Sequence, residues 1–107
     1  MQPGKLLRLH FTERDRYRDK PMYEAIVEQC REMRIAGATV FRGLEGYGNT
    51  AELHRSRGLT HDLPIVVQIV DTEENVRRLL PAIEAMLGKG LIAISDVTTV
   101  RLRKECA

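Results

Sequence analysis

The sequence predicts an α+β domain, a four-stranded antiparallel sheet with two helices on one face, built in the order β-α-β-β-α-β. Three observations predict it. Residues 22–33 and 76–87 each repeat apolar side chains at helical spacing. Each helical stretch lies between segments that alternate or are β-branched. A glycine-bearing stretch, residues 43–58, with no apolar run of its own, separates the two middle strands.

Lys5 to Phe11 alternates, with Leu7, Leu9 and Phe11 on one face and Arg8 and His10 on the other, as in a half-buried strand. His10 is read as an exposed strand residue. Residues 12–20 are dense in charge and read as a solvated connector, or else as a rim contact to a neighbouring subunit or an anion. Pro21 suits the first turn of a helix. Met22, Ala25, Ile26, Cys30 and Met33 then recur on one side, with Glu24, Glu28, Gln29, Arg31 and Glu32 opposite. Gly37 is the expected stop. Residues 38–42 form a short strand.

Residues 63–70 are a near-continuous apolar run, the pattern of a strand covered on both faces, with Pro64 near its start. Asp71 and Glu74 have capping-box spacing, and acids suit the positive end of a helix dipole. Val76, Leu79, Leu80, Ile83, Met86 and Leu87 keep one phase across Pro81, which predicts one kinked helix. Gly88-Lys89-Gly90 ends it. Residues 91–94 are extended, Ser95-Asp96 are expected to interrupt, and 97–103 form the last strand. Arg101 and Arg103 share one face of that strand, Val100 and Leu102 the other. This is the ferredoxin-like plan. Its second sheet face keeps Leu6 and part of the third strand, an apolar surface that calls for a partner, so a homo-oligomer is expected.

The 107 residues suit one domain, 1–107. A net charge of +2 gives no basic face for nucleic acid. No apolar run approaches the ~20 residues of a membrane span. The first residues lack the apolar stretch of a signal peptide. A cytoplasmic protein is expected. Cys30 and Cys106 lie far apart and form no CxxC, so both are read as reduced thiols.

No hydrolase or metalloprotease motif is present, and no catalytic residues are assigned: a non-enzyme is expected. No metal site is assigned either; the weak alternative places a cation on His54, His61 and Glu52 or Asp62. Phosphate binding is better supported. Gly46-Tyr47-Gly48 and Gly88-Lys89-Gly90 are turns in which glycine lets backbone amides approach an anion. Lys89 adds a point charge, and the guanidinium groups of Arg101 and Arg103 can grip a phosphate through paired bonds.

At these positions the chain resembles the PII family of trimeric signalling proteins, and more closely a PII-like branch of uncharacterised function. Gly46-Tyr47-Gly48 resembles the G-F-G that opens the PII T-loop, Glu52-Leu53-His54-Arg55 its E-L-Y-R, and Val100-Arg101-Leu102-Arg103 the I-R-I-R of the last strand. Gly4-Lys5-Leu6-Leu7-Arg8, Lys20-Pro21-Met22-Tyr23-Glu24-Ala25 and Gly37-Ala38-Thr39-Val40 resemble the uncharacterised branch.

The resemblance implies a trimer with sheets facing inward and an adenine nucleotide, or a similar phosphorylated small molecule, in the clefts between subunits. Gly46, Tyr47, Gly48 and Asn49 would form the loop base, Gly88, Lys89 and Gly90 the glycine turn, and Arg101 and Arg103 the phosphate grip. Glu52, His54, Arg55 and Arg57 would lie on a flexible loop, 46–61, that docks on a protein target such as a transporter or enzyme. The glycine turn is shorter than in PII, Leu91 stands where PII has a lysine, and no tyrosine follows Tyr47. The alternative is a divalent-metal-responsive protein of the same fold.

Overall fold

The computed structural model describes residues 1–47, 54 and 55 as backbone, and 62–102. In chain order the elements are β1 (Gln2–Thr12), β2 (Arg16–Tyr17), β3 (Lys20–Pro21), α1 (Met22–Glu32), β4 (Ala38–Arg42), β5 (Glu45–Gly46), β6 (His54–Arg55), β7 (Pro64–Asp71), α2 (Glu73–Leu87) and β8 (Leu91–Thr99). The main sheet is four-stranded, ordered β4-β7-β1-β8. All its pairings are antiparallel. This is the predicted ferredoxin-like plan.

Alternation decides which side chains enter the core. Leu7 pairs with Ile69, Leu9 with Val67 and Phe11 with Ile65, and all six point towards the helices. Met22, Ile26 and Cys30 of α1 and Val76, Leu79 and Ile83 of α2 close over them. Each fully buried side chain of this size contributes about 1.5–3 kcal/mol of apolar transfer. Burial pushes the Cys30 thiol up to about 11.

Six expectations need correction. The 12–20 connector is not all loop: β2 and β3 pair across Arg18-Asp19, Arg18 has φ 58°, and its guanidinium lies 5.1 Å from the Tyr17 ring centroid. Gly37 does not stop α1. The helix ends at Glu32, and Arg34 takes the left-handed conformation at φ 58°. Its N–H donates to the Arg31 carbonyl at 3.1 Å, and the Ile35 N–H donates to the Cys30 carbonyl at 2.9 Å. Those two bonds are the Schellman arrangement, with Arg34 where glycine is usual.

β7 is not covered on both faces within one chain. Ile65, Val67 and Ile69 are buried, while Val66, Gln68 and Val70 are half-buried. Asp71 does not cap α2. Thr72 does, its Oγ1 accepting from the Asn75 N–H at 3.1 Å. Ser95-Asp96 do not interrupt β8: Asp96 faces Lys5 in the register, and the two side chains form an ion pair. Lys5 also lies 3.4 Å from Glu73, and chiefly the Asp96 hydrogen bond holds its ammonium above the usual range. Finally, β8 stops at Thr99, so Arg101 stands beyond the strand rather than on it. The helix stripe across Pro81 reads true: α2 continues through it to Gly88, at φ 67°.

Candidate functional site

Sheet register places the candidate residues. Thr12 pairs with Pro64, His10 with Leu91 and Arg42 with Ile65. The ends of β1 and β4 and the starts of β7 and β8 therefore meet at one end of the sheet. The chain 43–47 leaves from there, and the glycine turn 88–90 stands there too.

Two glycines at this end are required by geometry. A Cβ on Gly90 would lie 2.7 Å from the His10 carbonyl oxygen, and its φ is 117°. A Cβ on Gly43 would lie 2.7 Å from Cγ of Pro64. The Gly43 N–H donates to the Pro64 carbonyl at 2.8 Å, fastening the loop's first residue to β7. Beyond it, Glu45 pairs with Arg55 and Gly46 with His54, so the loop base is a short antiparallel ribbon. Tyr47 follows with its side chain exposed.

Sequence reasoning missed the residues that fasten this ribbon. The Glu13 Oε1 lies 2.5 Å from Nε of Arg42, and its Oε2 accepts from the Leu63 N–H at 3.1 Å. The Glu13 N–H donates to the Leu63 carbonyl at 3.0 Å. One carboxylate, with its side chain only 9% exposed, thus holds the residue before the loop and a residue after it. Arg14 Nε lies 3.6 Å from Asp62 Oδ1. Asp15 Oδ2 accepts from the Thr12 N–H at 2.8 Å, and its Oδ1 lies 3.9 Å from Nζ of Lys89. Charge density at 13–15 was the only trace of this in the sequence, and it is equally the mark of a solvated turn.

Arg101 is not at this end. Gln2 pairs with Thr99 at the opposite end, and Arg101 lies exposed beyond it. At ~3.3 Å per residue, the length of β8 separates Arg101 from the glycine turn by roughly 25 Å within one chain. Gly48, Asn49, Glu52, Arg57, Arg103 and His61, and the side chains of His54 and Arg55, lie outside the described residues. Among the described residues, no three His, Cys, Asp or Glu side chains gather as a metal site. No described helix is long and apolar enough to cross a membrane.

The fold is one shared with PII-like proteins and with CutA1. CPII from Thiomonas intermedia K12, in a structure bound to ADP and bicarbonate, superposes with a TM-score of 0.71 at 19% identity, over 92% of this chain and 90% of that one. The divalent ion tolerance protein CutA1 from Ehrlichia chaffeensis does so with a TM-score of 0.66 at 18% identity, over 94% and 87%. A UPF0166 protein from Aquifex aeolicus is 41% identical over 102 residues, covering 92% of this chain and 94% of the relative. The family DUF190, described as "Uncharacterized ACR, COG1993", matches residues 4–99, and the chain belongs to it.

Proposed function

We propose that this chain is a non-enzymatic, cytoplasmic signalling protein that assembles as a trimer. It binds an adenine nucleotide, or a related phosphorylated small molecule, in clefts between copies, and it regulates a protein partner through the 46–61 loop. The observation that carries this reading is the division of the phosphate-suited groups between opposite ends of the sheet. Gly46, Tyr47 and the 88–90 turn stand at one end and Arg101 at the other. One copy cannot bring them together; in the proposed trimer a neighbouring copy would. The open sheet face offers a surface for that contact, since Phe41 is 49% and Leu91 60% exposed on it.

The Gly88 and Lys89 N–H groups donate to the Glu84 and Leu87 carbonyls, so in such a cleft the 88–90 turn would meet the phosphates chiefly through the Lys89 side chain, beside the loop base with Gly48 and Asn49. Arg101 and Arg103 of the next copy would neutralise them. Lys89 is exposed and only loosely paired, so it can turn to a phosphate at small cost. The likeness to CPII, whose structure holds ADP, supports this choice of ligand. For a ligand to signal, it must bind two states of the loop with different affinity, and a partner that reads Glu52, His54, Arg55 and Arg57 would then respond.

The test is a thermal-shift series with ATP, ADP, AMP, cyclic AMP and divalent cations, on wild type and on the Arg101→Ala, Arg103→Ala double variant. A ligand at 100 times its dissociation constant should stabilise by about 2.7 kcal/mol. The expected outcome is a nucleotide shift that the double variant loses. A shift with divalent cations alone would instead favour a metal-responsive protein, a reading that the likeness to CutA1 supports.

A further inference from the structure

Three consecutive residues, Glu13, Arg14 and Asp15, contact the end of β4 at Arg42, the residues Asp62 and Leu63 that lead into β7, and Lys89 in the glycine turn before β8. Glu13 holds Arg42 on one stem and Leu63 on the other. Asp15, two residues on, faces Lys89 of the glycine turn. The turn that links them is tightly built. The Asp15 N–H donates to the Thr12 carbonyl at 3.1 Å, the Asp15 carboxylate accepts from the Thr12 N–H, and the Asp15 carbonyl accepts from the Met22 N–H at 2.9 Å. A turn held at this many points shifts as a unit, so a force on the Asp15 carboxylate reaches Glu13.

We infer that Glu13 is a positioning residue that couples the glycine turn to the loop: whatever engages Lys89 acts through the 12–15 turn on the carboxylate that holds both loop stems. With the turn empty, Nζ of Lys89 stands 3.9 Å from the Asp15 carboxylate as a loose ion pair. A phosphate that takes Lys89 leaves Asp15 without that cation, and the 12–15 turn readjusts beneath Glu13, whose carboxylate is largely covered while Arg42 stays exposed. Coupling of this kind is reciprocal, so loosening Glu13 changes the affinity of the glycine turn by the same factor. The ligand half of this statement rests on the phosphate-binding reading above; the coupling itself does not.

The experiment is amide hydrogen exchange at Gly43 and Leu63, whose N–H groups donate to Pro64 and Glu13. It is run without ligand on wild type, Lys89→Ala, Glu13→Gln and the double variant, and then on wild type with ADP. An exposed ion pair of this kind supports a two- to fivefold rise in exchange on Lys89→Ala. That rise should vanish in the Glu13→Gln background. Asp15→Asn, which keeps an acceptor for the Thr12 N–H, should reproduce the lysine effect should Glu13→Gln fail to fold. Unchanged exchange in Lys89→Ala, or a lysine effect that persists without Glu13, would overturn the coupling, because a merely structural Glu13 responds to neither. Bound ADP that leaves both amides unmoved would overturn the ligand half of the inference. Absence of ADP binding would count against the nucleotide reading alone, with the ligand-free cycle still deciding the coupling.

Discussion

Asp71 closes β7 with its carboxylate turned back on the chain. It accepts from the Ala36 N–H at 2.8 Å, the Thr72 N–H at 2.7 Å and the Asn75 side-chain amide at 3.1 Å. Burial pushes its carboxyl up, but these bonds and the nearby Arg78 together bring it below the usual carboxylate range. A depressed folded value means stability that is present above the unfolded value, about 3.9, and is lost as pH falls through the folded value. Urea unfolding of wild type against Asp71→Asn should therefore show a gap of about 1–2 kcal/mol at pH 6, closing as the pH is taken towards 2. The sequence marked the acid as a helix cap, a role that Thr72 takes instead. The partner of Asp71 at Ala36, 35 positions away, was not legible, because no local pattern marks an acceptor for a distant amide. Glu13 escaped for the same reason.

At the scale of elements, periodicity carried most of the information. The apolar stripes of α1 and α2 and the inward face of β1 are the residues that the core buries. Ends were harder. The sequence offers Gly37 as a stop, yet the chain turns at Arg34, since the Ile35 N–H reaches Cys30 and Ile35 packs on the core. The geometry of packing outweighed the preference of one backbone. Arg34 holds a conformation that costs an L-residue about 1–2 kcal/mol. Arg34→Gly should accordingly raise unfolding free energy by about 0.5–1 kcal/mol, read as a higher urea midpoint with an unchanged slope. The same logic explains β8, where Asp96 suggested a break and Lys5 on the neighbouring strand removed it.

For the molecule as a whole, the informative feature is the sheet face that the helices leave open. Register sets Leu6 beside Val70, and lines Leu91, His10, Val66 and Phe41 in one row across all four strands. Phe41→Asp combined with Leu91→Asp should reduce the proposed trimer to a monomer by light scattering, with the far-ultraviolet dichroism per residue unchanged. Retention of the wild-type mass would show that this face does not carry the proposed interface. The open apolar face itself was readable from Leu6 and β7. The separation of Arg101 from the glycine turns was not, because it depends on the direction in which β8 runs past β1.

The burial of Cys30 has a kinetic consequence. Its side chain is 3% exposed and its thiol is pushed up to about 11, so at neutral pH the native chain presents almost no thiolate to solvent. In a chain with Cys106 replaced, an alkylating reagent must wait until α1 lifts from the sheet. The rate of label incorporation then clocks the opening of the core itself, and a bound ligand that stabilises the fold slows that clock by the factor it adds to the folding equilibrium.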